Sequence, residues 1–405
     1  MTWIEHTGRH AWRVRYPRPD GRTGSISGFT SRTAAAAHAA GIEVDQRRGS
    51  WLDPVGGRTT LGRWAAEWVG TLDVEPRTEE NYRGYLRNHI LPRWGGTALG
   101  EIGALAVTAW VKQLRRDYAA ATVATIVCVF SMILDDAVDE RLIPANPVHR
   151  RRRRGRRRDH HPAGRERVWA TPEQVLAIAG QAAALGGPGA GLLLITAAWT
   201  GARWGELAGL HRDRVHLDPV HPDRGHLSID PEVGALHESA HRLWLGPPKT
   251  PASARTISLP PFLVTLLRAL LRERDTEFVF TTRSGTWLRR STFDRRVLRP
   301  ACDGNPDRPN ARIHTTPVRP GLTFHGLRHS HKTWLIADRI PEIAQARRLG
   351  HHLSNRVVEC YSHVGPELER RLLRALQRRW HHATTAPPGR RPRRDLPVAA
   401  RHGRR

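Results

Sequence analysis

Residues 349–364 read LGHHLSNRVVECYSHV and place His351 ten positions ahead of Tyr361, the only tyrosine in the last 255 residues. Taken alone, the phenol is either a nucleophile with an imidazole nearby or an ordinary half-buried side chain. The rest of the chain separates these readings. Upstream lie Arg203 in TGARWGEL, Lys249 in PPKTPASART, and His325 and Arg328 in FHGLRHS. Singly, each has an ordinary explanation. Arg203 is one arginine among many, and most of the 23 histidines are not catalytic. Lys249 is a sharper signal, because the only other lysines are Lys112 and Lys332. Jointly and in this order, the six residues supply what cleavage of a phosphodiester needs without a metal.

A phosphodiester attacked by a side chain passes through a pentavalent species with extra charge on its non-bridging oxygens. A guanidinium suits that charge, since its planar fork grips two oxygens and stays protonated. Arg203 and Arg328 are the candidates for this electrostatic clamp. Tyr361, a phenol with an ordinary pKa near 10, must lose its proton as it attacks. His325 is placed to take it, and His351 to donate a hydrogen bond to the phosphate. Lys249, at the tip of a turn, is the candidate acid for the leaving 5′ oxygen, help of a kind worth roughly 10²–10⁴-fold. Glu206, three residues after Arg203, lies on the same helical face and can orient that guanidinium. The HH pairs at 160–161, 351–352 and 381–382 lack the spacing of a metal site.

Composition points to a polyanionic partner. Against 38 Asp and Glu stand 65 Lys and Arg, a net charge of +27 over 405 residues. Codon bias explains arginine in place of lysine, but not the excess of positive over negative charge. Cys128, Cys302 and Cys360 are too far apart for a disulfide framework or a spaced metal site, which fits a reducing compartment. The opening MTWIEHTGRH lacks the apolar run of a signal peptide. VATIVCVFSMIL and GLLLITAAW look too short to span a bilayer and read as buried helices. A cytoplasmic protein without membrane attachment is expected.

The pattern predicts a multidomain chain. Residues 1–56 read as a small sheet plus a helix: in AWRVRYP, Trp12, Val14 and Tyr16 alternate with Arg13 and Arg15, GSISGF is a second strand, and a helix follows a Ser or Thr cap. The face carrying Arg13 and Arg15 either enters a DNA groove or is simply solvated. Residues 58–148 read as all-helical, with Val123, Ile126, Val127, Phe130 and Leu134 on one buried face, until PANP stops the run. In the segment 149–167, Arg150, Arg151, Arg152, Arg153, Arg154, Arg156, Arg157 and Arg158 cannot pack together. They form an exposed linker suited to lie along phosphates. From 168 to 383 a mixed, mainly helical α+β region is expected. It includes a strand–turn–strand around Lys249, a loop over 300–322 and a last helix, PELERRLLRALQRRW. The Pro-, Gly- and Arg-rich stretch 384–405 reads as a disordered basic tail.

These boxes together resemble the tyrosine recombinases of the phage-integrase family, over nearly the whole chain. TGARWGEL resembles the family's first arginine box, KTPASARTISLP its lysine hairpin, FHGLRHS its His-x-x-Arg box, and LGHHLSNRVVECYSHV its His-to-Tyr box. Ala202 and Trp204 beside Arg203, and Arg356 and Val357 ahead of Tyr361, depart from the usual pattern. The resemblance implies a 3′-phosphotyrosine intermediate and a free 5′ hydroxyl, with neither metal nor ATP nor any other cofactor. It also implies an arm-type DNA-binding domain (1–56), a helical core-binding domain (58–148) and a catalytic domain (168–383), acting on double-stranded attachment sites. Family members form a homotetramer by passing the last helix to a neighbour, and a directionality factor is a possible further partner. The activity expected is that of an integrase of a phage or integrative element. A topoisomerase-like relaxer with the same chemistry, and a DNA-binding protein without catalysis, are the alternatives.

Overall fold

The computed structural model describes residues 2–18, 21–48, 51–53, 56–149, 167–307, 310–351 and 364–385. The chain divides into two compact units, Met1–His160 and His161–Arg405. The first contains a small sheet and a set of helices; the second mixes helices with short strands.

The alternation in AWRVRYP builds β2 (Ala11–Pro17), the middle strand of three, flanked antiparallel by β1 (Trp3–Gly8) and β3 (Thr23–Phe29). The first of these was not foreseen. In WIEHTG the apolar Trp3 and Ile4 are adjacent rather than alternating, so only pairing with β2 makes the segment a strand. Val14 and Tyr16 are fully buried with Ala35, Ala39 and Ile42 of α1 (Arg32–Arg47). That helix starts at Ser31, whose hydroxyl accepts from the Ala34 N–H at 3.1 Å. On the other face the register sets Glu5 opposite Arg13 and Arg13 opposite Ser27.

The helical part comprises α2 (Leu61–Gly70), α3 (Pro76–Tyr85), which runs through a π-helical turn at Leu86–Ile90 into α4 (Leu91–Trp94), then α5 (Ala104–Asp117) and α6 (Ala120–Asp139). Trp94, Trp110 and Phe130 form its aromatic centre, with ring centroids 5.3–5.9 Å apart. Val123, Ile126, Phe130 and Leu134 are buried as expected, whereas Val127 lies half-buried at the edge. The expectation that this stretch is too short to cross a bilayer needs correction. α6 extends past its apolar run at both ends, and its 20 residues are long and apolar enough to cross one. One face of it nevertheless forms the core of the helical part, and Trp64 donates its indole N–H to the Ile133 carbonyl at 2.8 Å.

In the second unit α7 (Pro172–Gly186) begins with a capping box in which Thr171 and Gln174 satisfy each other's backbone N–H. It packs on α8 (Pro188–Thr200), a helix buried nearly all round, which leads into the short α9 (Trp204–Ala208). Strands β4 (Val215–Leu217), β5 (Gly225–Ile229) and β8 (Arg255–Ser258) form one antiparallel sheet, and β6 (Ala235–Glu238) pairs with β7 (Leu243–Gly246) in another. The segments on either side of Lys249 are therefore both strands, but they do not pair with each other. Period-two alternation identifies strands without saying which ones are partners.

Helix α10 (Pro261–Glu273) follows, then α11 (Arg290–Phe293), continuing through a π-helical turn into α12 (Arg299–Asp303), so the start of the expected loop at 300–322 is helical. Helices α13 (Phe324–Ala337) and α14 (Glu342–Leu349) carry the boxes expected to be functional. The last helix, α15 (Pro366–Thr385), runs two residues beyond the expected boundary at 383. It is docked on its own chain. Leu372 and Leu376 are fully buried, Trp380 stacks on Phe262 at 4.0 Å, and Trp199 donates to the Leu376 carbonyl at 3.1 Å. The arginine run 150–158, Cys360, Tyr361 and the tail from 386 lie outside the described residues.

Candidate active site

Two chain reversals and one helix bring the predicted residues together. The first follows α8, where Gly201 takes a left-handed conformation (φ 69°) and a side chain there would collide with Leu349 and His331. The turn sets Arg203 at the start of α9, one turn before Glu206. The Glu206 carboxylate accepts from the Arg203 backbone N–H at 2.9 Å and from its Nη1 at 2.8 Å. Glu206 therefore caps the helix and orients the guanidinium.

The second reversal is the turn carrying Lys249. Lys249 itself is exposed, while the base of the turn is anchored. Thr250 Oγ1 and Ser253 Oγ lie 2.9 Å apart, and Ser253 Oγ accepts from Arg203 Nη1 at 2.7 Å. A hydrogen-bonded link therefore joins the lysine turn to the first arginine.

The third element is α13, capped by Thr323 and presenting His325 and Arg328 in its first turns. Arg328 is buried and donates to the Gly201 carbonyl at 2.6 Å, to the Leu349 carbonyl, and to His351 Nε2 at 2.7 Å. A guanidinium only donates, so Nε2 of His351 is an acceptor here and its ring proton sits on Nδ1. The expected role of His351 as donor to a phosphate must therefore fall to Nδ1.

Electrostatics show that these groups share one field. Burial, then the Arg203 charge, lowers Arg328 to about 9. His351 falls to about 4, first through partial burial and then through Arg328 and Arg203. His325 also falls to about 4, through partial burial, then His329, Arg328, Arg167 and Arg203. Both imidazoles are neutral near pH 7. Burial alone would raise the Glu206 carboxyl, but Arg255 and Arg203 outweigh it and hold it low.

Among the expected residues, the structure thus gathers Arg203, Glu206, Arg328, His325 and His351, with Lys249 on a turn tied to Arg203. Tyr361 falls outside the described residues, and so do Arg150, Arg151, Arg152, Arg153, Arg154, Arg156, Arg157 and Arg158. Arg13 and Arg15 lie in the first unit, where both donate to Glu5, at 2.6 and 2.9 Å.

No family model matches the chain. It is 25% identical over 262 residues to an integrase of Mycobacterium phage FRAT1, spanning 63% of this chain and 72% of that one. It is also 25% identical over 385 residues to a putative prophage phiRv2 integrase of Mycobacterium tuberculosis (strain CDC 1551 / Oshkosh), spanning 91% and 92%. Among solved structures, the Tn1549 transposon integrase in complex with a circular intermediate DNA aligns at a TM-score of 0.57 and 15% identity, over 78% of this chain and 99% of that one. A lambda integrase tetramer bound to a Holliday junction aligns at 0.51 and 17% identity, over 89% and 98%. Its relatives are thus phage and prophage integrases, and it shares its fold with integrases of known structure.

The structure also shows site residues that the sequence reading missed. Arg255 binds both oxygens of Glu206, at 2.9 and 3.1 Å. Arg348 is buried and donates to His331 Nε2 at 3.1 Å and to the Ser258 and Trp199 carbonyls at 3.0 Å. His331, held neutral by full burial, donates in turn to the Ala198 carbonyl at 2.8 Å. Arg167 donates to His329 Nε2 at 3.0 Å, and the His329 ring stands edge-on to His325 at 4.8 Å. In a chain this rich in arginine, nothing local distinguishes these residues. Only the neighbouring KTPASART box, which contains Arg255, carried a signal.

Proposed function

We propose that the chain is a site-specific DNA recombinase, the integrase of a phage or integrative element, which cleaves and rejoins DNA through a 3′-phosphotyrosine intermediate. The observation that carries this reading is the convergence of two guanidinium groups and two neutral imidazoles, contributed by segments more than 100 residues apart, beside the turn that bears Lys249.

That geometry supports the following chemistry. Arg203 and Arg328 grip the non-bridging oxygens of the scissile phosphate, held in advance by Glu206 and by the Gly201 and Leu349 carbonyls. The Tyr361 oxygen attacks phosphorus and the bond to the 5′ oxygen breaks. The phenolic proton passes to His325, and Lys249 protonates the departing 5′ oxygen. Both imidazoles are kept neutral by partial burial first and then by the surrounding cations. A bound phosphodiester supplies negative charge to the same cations and lifts His325 back toward its ordinary range, where it accepts a proton readily. His351 Nδ1–H is the remaining donor to the phosphate. Because the phosphotyrosine ester replaces the phosphodiester, its energy is retained for rejoining.

Around that centre, residues 168–383 act as the catalytic domain, 58–148 as a core-binding domain and 1–56 as an arm-type domain reading DNA with its sheet. The arginines from 150 to 158 lie along phosphates. The partner is double-stranded attachment-site DNA in the bacterial cytoplasm, and the active assembly is a homotetramer. Because α15 is docked on its own core in the single chain, exchange between copies requires it to undock. A directionality factor would act on this assembly.

The test is covalent capture on a nicked suicide substrate carrying the attachment site. The wild type is expected to form a protein–DNA adduct, and Tyr361→Phe to form none while binding DNA nearly as well. A wild type that forms no adduct overturns the enzyme reading in favour of a DNA-binding protein. An adduct without recombination between two different sites would favour a relaxer.

A further inference from the structure

We infer that Arg255 is a positioning residue for strand cleavage, one that locks the Arg203 clamp and the backbone leading into His351 into a single register. This inference rests on the reading that Arg203, Arg328 and Tyr361 act on one phosphate.

Arg255 opens β8, and its side chain is almost wholly buried, with 5% exposed. It therefore does not reach for DNA. Its donors go to three separate segments. Nη2 and Nη1 span the two oxygens of Glu206, at 2.9 and 3.1 Å. Nη1 also reaches the Ser253 carbonyl, at the base of the lysine turn, at 2.6 Å. Nε donates to the Arg348 carbonyl, at the end of α14, at 2.7 Å. The planar fork of a guanidinium can satisfy a carboxylate and two carbonyls in this way, whereas an ammonium is a single point.

Each partner leads to a reacting group. Glu206 Oε1 also holds Arg203 Nη1, at 2.8 Å, so the Arg203 fork is placed through Glu206 by Arg255. Beyond Arg348 the chain passes through Gly350, in a left-handed conformation (φ 64°) where a side chain would collide with Ala252 and Ser253. His351 follows immediately. Arg328 grips the next carbonyl, that of Leu349, so two cations hold the end of α14 from adjacent positions. Removing Arg255 leaves a buried carboxylate with a single cation and frees the approach to His351, while no surface group changes.

The experiment is single-turnover adduct formation on the nicked attachment-site duplex, with wild type, Arg255→Lys and Lys249→Ala. Arg255→Lys is expected to bind the duplex within about threefold of wild type and to cleave roughly 10²-fold more slowly, the cost of a clamp misplaced by about an ångström. A second substrate carries sulfur in place of the bridging 5′ oxygen. That thiolate leaves without protonation, so it restores cleavage by Lys249→Ala. It is not expected to restore Arg255→Lys, whose defect lies in gripping the phosphate. A merely structural loss would lower duplex affinity and cleavage together. Should Arg255→Lys fold poorly, the pair Glu206→Gln with Arg255→Gln removes both buried charges at once, and the same slow, unrescued cleavage is expected. Cleavage at the wild-type rate by either variant overturns the inference, as does rescue of Arg255→Lys by the sulfur substrate. Failure of the wild type to form any adduct removes the underlying reading, and this inference with it.

Discussion

Arginine does two different jobs in this molecule, and the contrast between the N-terminal sheet and the buried cluster around Arg328 shows what separates them. On the sheet, Arg13 and Arg15 reach across the surface to a shared partner, Glu5, with all three side chains 29–40% exposed. In the cluster, the side chains of Arg328, Arg348 and Arg255 are buried and held mainly by backbone carbonyls, with Glu206 as the carboxylate of Arg255 and Glu369 that of Arg348. A surface ion pair competes with water and salt, so it yields easily to another anion. A buried guanidinium has no such alternative, and losing any partner leaves an uncompensated group. The sheet arginines are available to a ligand, whereas the buried ones set the geometry for other residues.

Breaking the buried side should have the largest effect. Arg328→Ala leaves the Gly201 and Leu349 carbonyls without their partner, at roughly 1–3 kcal/mol each, and adduct formation should fall roughly 10²–10³-fold. Chemical denaturation and the suicide-substrate assay measure the two effects. A stable variant that cleaves normally would dissolve the distinction between the two regions.

Next in size is Glu206→Gln, which keeps the shape but strands two guanidinium groups around a neutral amide. A loss of about 3 kcal/mol is expected, read as a lower denaturation midpoint. No loss would show that Arg203 and Arg255 are held by their carbonyl and hydroxyl contacts alone.

A smaller effect concerns pH. In the unfolded chain His325 and His351 titrate near 6.5, whereas in the folded protein both are held to about 4. On acidification the unfolded state takes up protons first. Stability is therefore complete above about 6.5 and is lost progressively as pH falls toward 4. Asn at both positions should make denaturation midpoints less sensitive to pH over that window. An unchanged acid loss would assign it to other groups, His331 first among them.

The smallest expected change in stability is on the surface. Glu5→Gln should leave the melting temperature essentially where it is, although Arg13 and Arg15 hold the Glu5 carboxyl down to about 2. It should instead free both arginines, tightening non-specific DNA binding and steepening its salt dependence by about 0.9 per added phosphate contact. An unchanged slope would make that face a solvated surface and nothing more.

Some of this architecture could be read directly from residues. The alternation of Trp12, Val14 and Tyr16, the Ser31 and Thr171 caps, and the helical face of Val123, Ile126 and Phe130 are local patterns, and local patterns survive in a linear string. β1 escaped because its residues become a strand only by pairing. The segments flanking Lys249 were recognised as strands, but their assignment to different sheets was not, because pairing partners are set by distant chain.

The sequence by itself carried the signals behind the proposed chemistry: a single late tyrosine, a scarce lysine in a turn, and arginine and histidine boxes in a fixed order. It also determined the charge that calls for a polyanion. Only the tertiary structure decided which arginines are tools and which are scaffold, since 65 basic residues look alike in one dimension. Burial draws that line. A guanidinium shut away from water must find carbonyl and carboxylate partners from remote segments, and at Arg255 and Arg328 those partners are the backbone and side chains that place the proposed reacting groups.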